Sequence, residues 1–216
     1  EAGREADGVV FMALEDPAVR DAVDALAGRG VPTVTIISDI GASRRVAYVG
    51  LDNRAAGRTA AYIMGRFIGT RRSKVAMIAG SLSYRAHEER EMGFLHLFAE
   101  TFPQVEVVGL RQGFDDPEKN FRQTRRLLAD HADLAGVYCI GGGPEGVARA
   151  LKEARRDQNV VLIGHGLTPE SRGFLLDGAI DAVITQTPQA TLMNCITIFA
   201  NLRAGRGPHE GAQPMR

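Results

Sequence analysis

The chain carries no net charge: Lys and Arg number 26, and so do Asp and Glu, over 216 residues. Holding nucleic acid by bulk electrostatics takes a positive excess, so this balance excludes that mode for the part given. No apolar run reaches roughly eighteen residues, which excludes a membrane-spanning helix. The opening EAGREADG is polar, so no signal peptide is expected there. Cysteine is scarce. Cys139 and Cys195 stand far apart, in neither metal-ligand nor redox spacing, and each reads as a small buried hydrophobe. The five histidines (His87, His96, His131, His165 and His209) show no HExxH or comparable pattern, so no metal site is expected. A GxSxG elbow is also missing, which leaves a hydrolase triad without its nucleophile. The glycine-rich run IGGGPEG, from Ile140, would let backbone N–H groups approach an anion. It fits neither GxGxxG nor GxxxxGK[ST], and no lysine stands where phosphates need one. No catalytic residue and no cofactor is assigned. A nucleotide-dependent enzyme remains only as an alternative.

What the chain does contain is strict strand–helix alternation. Apolar runs begin near Asp7, Val34, Tyr48, Lys74, Val105, Gly136, Val160 and Ile180, and all but the Val34 run are followed by a helical period. Asp16-Pro17 and Thr168-Pro169 read as an N-cap followed by proline at the first helical position, and Pro117 opens another helix. An apolar stripe of Ala56, Ala60, Ile63, Met64 and Phe67 marks the helix after Asp52. The last helix, from Pro188, is expected to turn Leu192, Ile196 and Phe199 inward. With no hairpin signals, the pattern is that of a doubly wound parallel α/β fold.

In such sheets, ligands sit outside the carboxyl ends of the strands. The turns there hold Asp39, Ser81 to Arg90, Phe114, Gly141 to Gly143, His165 and Gln186. The central unit is KVAMIAGSLSYRAHEEREMGF, a buried strand broken at Gly80-Ser81 and continued by a helix carrying Arg90. Arg90 offers a rigid fork of five donors suited to a polyhydroxylated or anionic ligand. Its alternative is a solvated ladder with Glu88, Glu89 and Glu91. Phe114, in a Gly-Phe-Asp-Asp loop, is either a ring for the C–H face of a sugar or packing under the loop. Tyr84 reads similarly. Asp39 either accepts hydroxyls or caps its turn. Hydrogen bonding within a loop suits His165 better than acid–base or ligand work. Binding fits these turns better than catalysis.

The landmarks DGVV at Asp7, GVPTVTIISD ending at Asp39, YVGLDNRAAGRTAA from Tyr48, KVAMIAGS, EREMGF, DLAGVYC and IDAVITQTP stand in a specific order. In that order the chain resembles the effector-binding core of lactose-repressor-type transcription regulators, itself similar to ribose-type periplasmic sugar-binding proteins. The resemblance implies a periplasmic-binding-protein-like fold of type I: two α/β lobes joined by three crossing strands, with the ligand in the cleft. It implies an incomplete N-terminal lobe at 1–50 with 188–208 and a C-terminal lobe at 51–187. Further strands and a helix-turn-helix would precede Asp7, and a third crossing would begin at Gln213 to Arg216. Residue by residue, Asp39 matches an acidic contact, Arg90 a sugar-binding arginine, Phe114 a stacking aromatic and Gln186 a hinge-side polar contact. Tyr84, Gly142 and His165 complete the candidate ligand-binding set. Two departures stand out: Gly141-Gly142-Gly143 where many members have Asn-Asp, and Gly166 after His165 where they have Asp. The implied function is a cytoplasmic, ligand-sensing domain of a homodimeric regulator. It would bind a sugar-like small-molecule effector, act by cleft closure, and reach operator DNA through the missing N-terminal part. The alternative is a periplasmic solute receptor for an uptake transporter.

Overall fold

A computed structural model describes residues 6–211. The expected third crossing at Gln213 to Arg216 lies outside them. The described chain falls into two compact units. The first takes the chain up to Asp52, Ser83–Ala86 and the chain from Gln186; the second takes Asn53–Leu82 and His87–Thr185.

In the first unit, strands β1 (Val9–Phe11), β2 (Thr33–Ile36) and β3 (Ala47–Val49) pair in parallel in that order. Helix α1 (Pro17–Gly28) connects β1 to β2 and starts as its sequence demands, the Asp16 carboxylate accepting from the Ala18 N–H at 2.8 Å. The core here is small: Val34, Ala47 and Val49 from the sheet meet Cys195 and Ile198 of the last helix.

The second unit holds α2 (Asn53–Ile68), β4 (Ser73–Ala79), α3 (Arg85–Thr101, from His87 on), β5 (Val105–Gln112) and α4 (Pro117–Asp130). It continues through β6 (Leu134–Cys139), α5 (Pro144–Glu153), β7 (Val161–His165), α6 (Pro169–Leu176) and β8 (Ala182–Ile184). Its sheet is parallel throughout, in the order β5-β4-β6-β7-β8. Both faces are buried, which is why the strands read as continuous apolar runs rather than alternating ones. Val75, Met77 and Ala79 of β4, with Tyr138 of β6, meet Met64, Phe94 and Phe98 from α2 and α3. The alternate residues Ala76, Ile78, Val137 and Cys139 meet Leu127, Val147 and Leu151 from α4 and α5.

Helix α7 (Pro188–Arg203) corrects one expectation. Leu192 and Ile196 are exposed, and the inward face carries Thr191, Asn194, Cys195, Ile198 and Asn201. This helix is apolar on several sides, so periodicity does not single out the buried one. The polar groups on the chosen face are bonded locally: Thr191 Oγ1 donates to the Thr187 carbonyl, and the Asn201 amide to the Pro208 and Glu210 carbonyls.

Helices α2 and α3 approach through glycine. A Cβ at Gly57 would collide with the Arg90 carbonyl oxygen, and one at Gly93 with that of Arg54. Gly57→Ala therefore costs about 1–3 kcal/mol by overpacking, despite the higher helix propensity of alanine. Gly173→Ala, in open space on α6, gains about 0.5–1 kcal/mol. Urea midpoints of the two variants must therefore move in opposite directions; a stabilised Gly57→Ala would contradict the close approach.

Candidate functional site

The second sheet leaves β4 toward β5 on one side and β6 on the other. Its topological switch point therefore lies outside the carboxyl ends of β4 and β6, where a crevice forms in open α/β sheets. Gly80 follows β4 there, and Gly141 and Gly142 follow β6.

Arg90 reaches this point from α3 and is only 6% exposed. Its Nε–H donates to Asn53 Oδ1 and its Nη1–H to the Ile140 carbonyl, each at 2.8 Å. A solvated ladder with the neighbouring glutamates is excluded. His87, three residues earlier and on the same face of α3, is also buried; its Nδ1 lies 2.9 Å from the Ser81 carbonyl. Burial, with the Arg90 charge adding to it, holds His87 below the ordinary imidazole range, against the pull of the Asp115 carboxylate and the Ser81 bond. His165, at the end of β7, shares a 2.7 Å hydrogen bond with the Tyr138 hydroxyl. Burial first, then the charges of Arg90 and His87, push it well below its usual value, so this ring is neutral.

The loop after β5 runs Gly113-Phe114-Asp115-Asp116 into α4, which the Asp116 carboxylate caps by accepting from the Glu118 and Lys119 N–H groups. Phe114 and Asp115 both adopt left-handed backbone, with φ of 58° and 56°. Side chains with a Cβ adopt that region at a cost of about 1–2 kcal/mol each. The effect is to hold the Phe114 ring out, 57% exposed, with Lys119 Nζ 4.7 Å from its centre. Packing under the loop is thereby excluded. Asp115 Oδ1 accepts from the Gly142 N–H at 2.7 Å.

Four of the seven candidate residues thus fall in the second unit: Arg90, Phe114, Gly142 and His165. Arg90 is tied to the end of β6 two residues before Gly142, and the Phe114 loop is tied to Gly142 itself. Asp39, Tyr84 and Gln186 belong to the first unit. There Asp39 is engaged by both Nε and Nη2 of Arg45 and accepts from Thr35 Oγ1 at 2.6 Å. Burial raises its pKa, but the bonds to Arg45, Thr35 and the Ile40 backbone prevail and hold it below the usual carboxylate range. Tyr84 and Gln186 are half-buried. Asn53, His87, Asp115 and Tyr138 were not singled out from sequence. The i, i+3 spacing of His87 and Arg90 was the one local signal available. Among the described residues, no three His, Cys, Asp or Glu side chains are grouped to hold a metal, and no helix is long and apolar enough to cross a membrane.

Depressed histidines make stability depend on pH. Unfolded, both rings take up protons near pH 6.5, while folded they do so only at lower pH. Below that value the unfolded chain binds more protons, so stability falls as pH falls. The urea midpoint must drop between pH 7.5 and 5, and His165→Gln must flatten that slope relative to the parent. Equal slopes would remove His165 from this account.

Comparison with known proteins extends the picture. Residues 2–207 match the family described as periplasmic binding protein domain. The chain is 26% identical to the D-allose-binding periplasmic protein of Escherichia coli over 143 residues, which is 66% of this chain and 46% of that protein. It is 25% identical to the ribose import binding protein RbsB of the same organism over 175 residues, 81% of this chain and 58% of the relative. The chain thus spans about half the length of the curated relatives it matches. Among solved structures, GanP, a glucose-galactose binding protein from Geobacillus stearothermophilus, superimposes with a TM-score of 0.87 at 26% identity, covering 95% of this chain and 73% of GanP. A transporter solute-binding protein from Burkholderia graminis, solved with D-arabinose, shares the fold with a TM-score of 0.88 at 24% identity, covering 94% of this chain and 71% of that one. With its parallel α/β architecture of periplasmic-binding-protein-like type I, this chain belongs to the periplasmic binding protein domain family.

Proposed function

We propose that this chain is the recognition part of a sugar receptor serving an uptake transporter. It binds a small polyhydroxylated solute at the switch point of the second unit's sheet. The observation that carries this reading is the exposed Phe114 ring, held out at backbone cost beside a rim bearing Asp115 and the buried Arg90. Sugars present C–H faces to rings and hydroxyls to charged partners. Asp39, Tyr84 and Gln186 are proposed as the first unit's polar contacts with the same class of solute. The lobes are taken as 1–50 with 188–208, and 51–187.

The matched family and the curated relatives are periplasmic or import binding proteins. They favour a receptor over the transcription-regulator expectation, with its operator DNA, homodimer and cytoplasmic setting. A nucleotide-dependent enzyme is disfavoured by the site itself. The Gly142 N–H that a phosphate would use already donates to the Asp115 carboxylate, and a second anion there would be repelled.

A thermal-shift panel of D-ribose, D-allose, D-galactose, D-arabinose and ATP tests the reading. A sugar at a hundred times its Kd stabilises the chain by about 2.7 kcal/mol. Phe114→Ala must weaken binding of that sugar roughly tenfold or more while barely moving the midpoint of the free protein, because the ring is 57% exposed. Arg90→Ala is the poorer probe, since it also strands the acceptors of Asn53 and Ile140. Stabilisation by ATP and by none of the sugars would overturn the proposal.

A further inference from the structure

The Asp115 carboxylate is placed by several features that sequence spacing does not announce. Its own backbone and that of Phe114 are left-handed, which turns the side chain back over the sheet's end instead of along α4. The neighbouring Asp116 already caps α4, so Asp115 is not needed for that. Two glycines make its berth. A Cβ at Gly80, after β4, or at Gly141, after β6, would collide with Asp115 Oδ1. Any other residue at either position would displace the carboxylate from the switch point. Among the described residues Asp115 accepts one hydrogen bond, from Gly142 N–H to Oδ1. The residue is exposed, and a carboxylate has more acceptor sites than this one bond uses. Buried Arg90 and His87 lie on the same rim. Both arginine donors described above, Nε and Nη1, are occupied by protein acceptors.

We infer that Asp115 is the specificity-determining acceptor of this site, selecting neutral sugars with free hydroxyl donors over their acidic counterparts. This rests on the sugar-receptor reading and narrows it. Gly141 to Gly143 and Gly166 provide no side-chain acceptor at the ends of β6 and β7. The carboxylate arriving from the β5–α4 loop supplies one. A carboxylate accepts hydroxyl donors in strong, charge-assisted bonds. It also repels a uronate or a sugar phosphate.

The test uses the full chain with matched probes: D-galactose against D-galacturonate, and D-ribose against D-ribose 5-phosphate, measured by calorimetry. The parent must prefer the neutral member of the pair it binds. Asp115→Asn keeps the acceptor for Gly142 N–H but loses the charge. It must bind the neutral sugar about ten- to a hundredfold more weakly and discriminate less against the acid. Asp115→Ala must do the same. If the parent binds a neutral sugar and Asp115→Asn matches it in affinity and preference, the inference falls while the receptor reading stands. A lowered thermal midpoint with unchanged affinity reduces Asp115 to a loop latch and overturns the inference equally. A parent that prefers the acidic probes overturns it too. If the parent binds none of these probes and no sugar of the thermal-shift panel either, the receptor reading fails and takes the inference with it.

Discussion

A guanidinium withdrawn from water must find acceptors for its five N–H donors, or fold stability suffers by several kcal/mol. In the second unit, the Arg90 side chain meets part of that demand with partners from distant parts of the chain: Asn53 at the start of α2 and the Ile140 carbonyl just past β6. Much of the local architecture follows from it. The start of α2, the first turns of α3 and the end of β6 must hold their places together. Burial and the permanent charge of Arg90 both disfavour the protonated forms of His87 and His165. Arg90 is at once a member of the candidate site and a strut beneath it.

Close approach is made possible by residues that are absent in the sense of having no side chain. Gly57 and Gly93 let α2 and α3 touch backbone to backbone, which sets the depth from which Arg90 projects. Gly146 does the same for α5, where a Cβ would meet the Pro117 carbonyl at the start of α4. Through that contact the α4 end of the Phe114 loop and the Gly141–Gly143 turn are held in register. Asn120 adds to it by donating from Nδ2 to the Gly142 and Gly143 carbonyls, each at 2.9 Å.

The elements were readable because their signals are local. Asp16-Pro17 and Thr168-Pro169 mark helix starts within the span of one turn, and doubly buried strands appear as unbroken apolar runs. Phe114 stood out because it occupies a strand's carboxyl end with a side chain that a turn has no need of, and Arg90 because the helix following β4 carries it beside that end. Asp115 did not. Its role depends on Gly80 and Gly141, some 35 and 26 residues away along the chain, and on a left-handed backbone that no tripeptide of Phe, Asp and Asp signals. The inward face of α7 was hidden for the opposite reason. Apolar residues surround that helix, and tertiary packing selected the side bearing Thr191, Asn194 and Asn201.

The paired left-handed residues at 114 and 115 set local stability against recognition. Glycine or asparagine would occupy that backbone more comfortably than phenylalanine. Selection for heat resistance alone would therefore drift toward small residues at 114, and the protein would harden as its aromatic platform disappeared. A bulky ring in so unfavourable a conformation contributes nothing to durability. Engineering that takes folding stability as its only objective would erase the feature while reporting success.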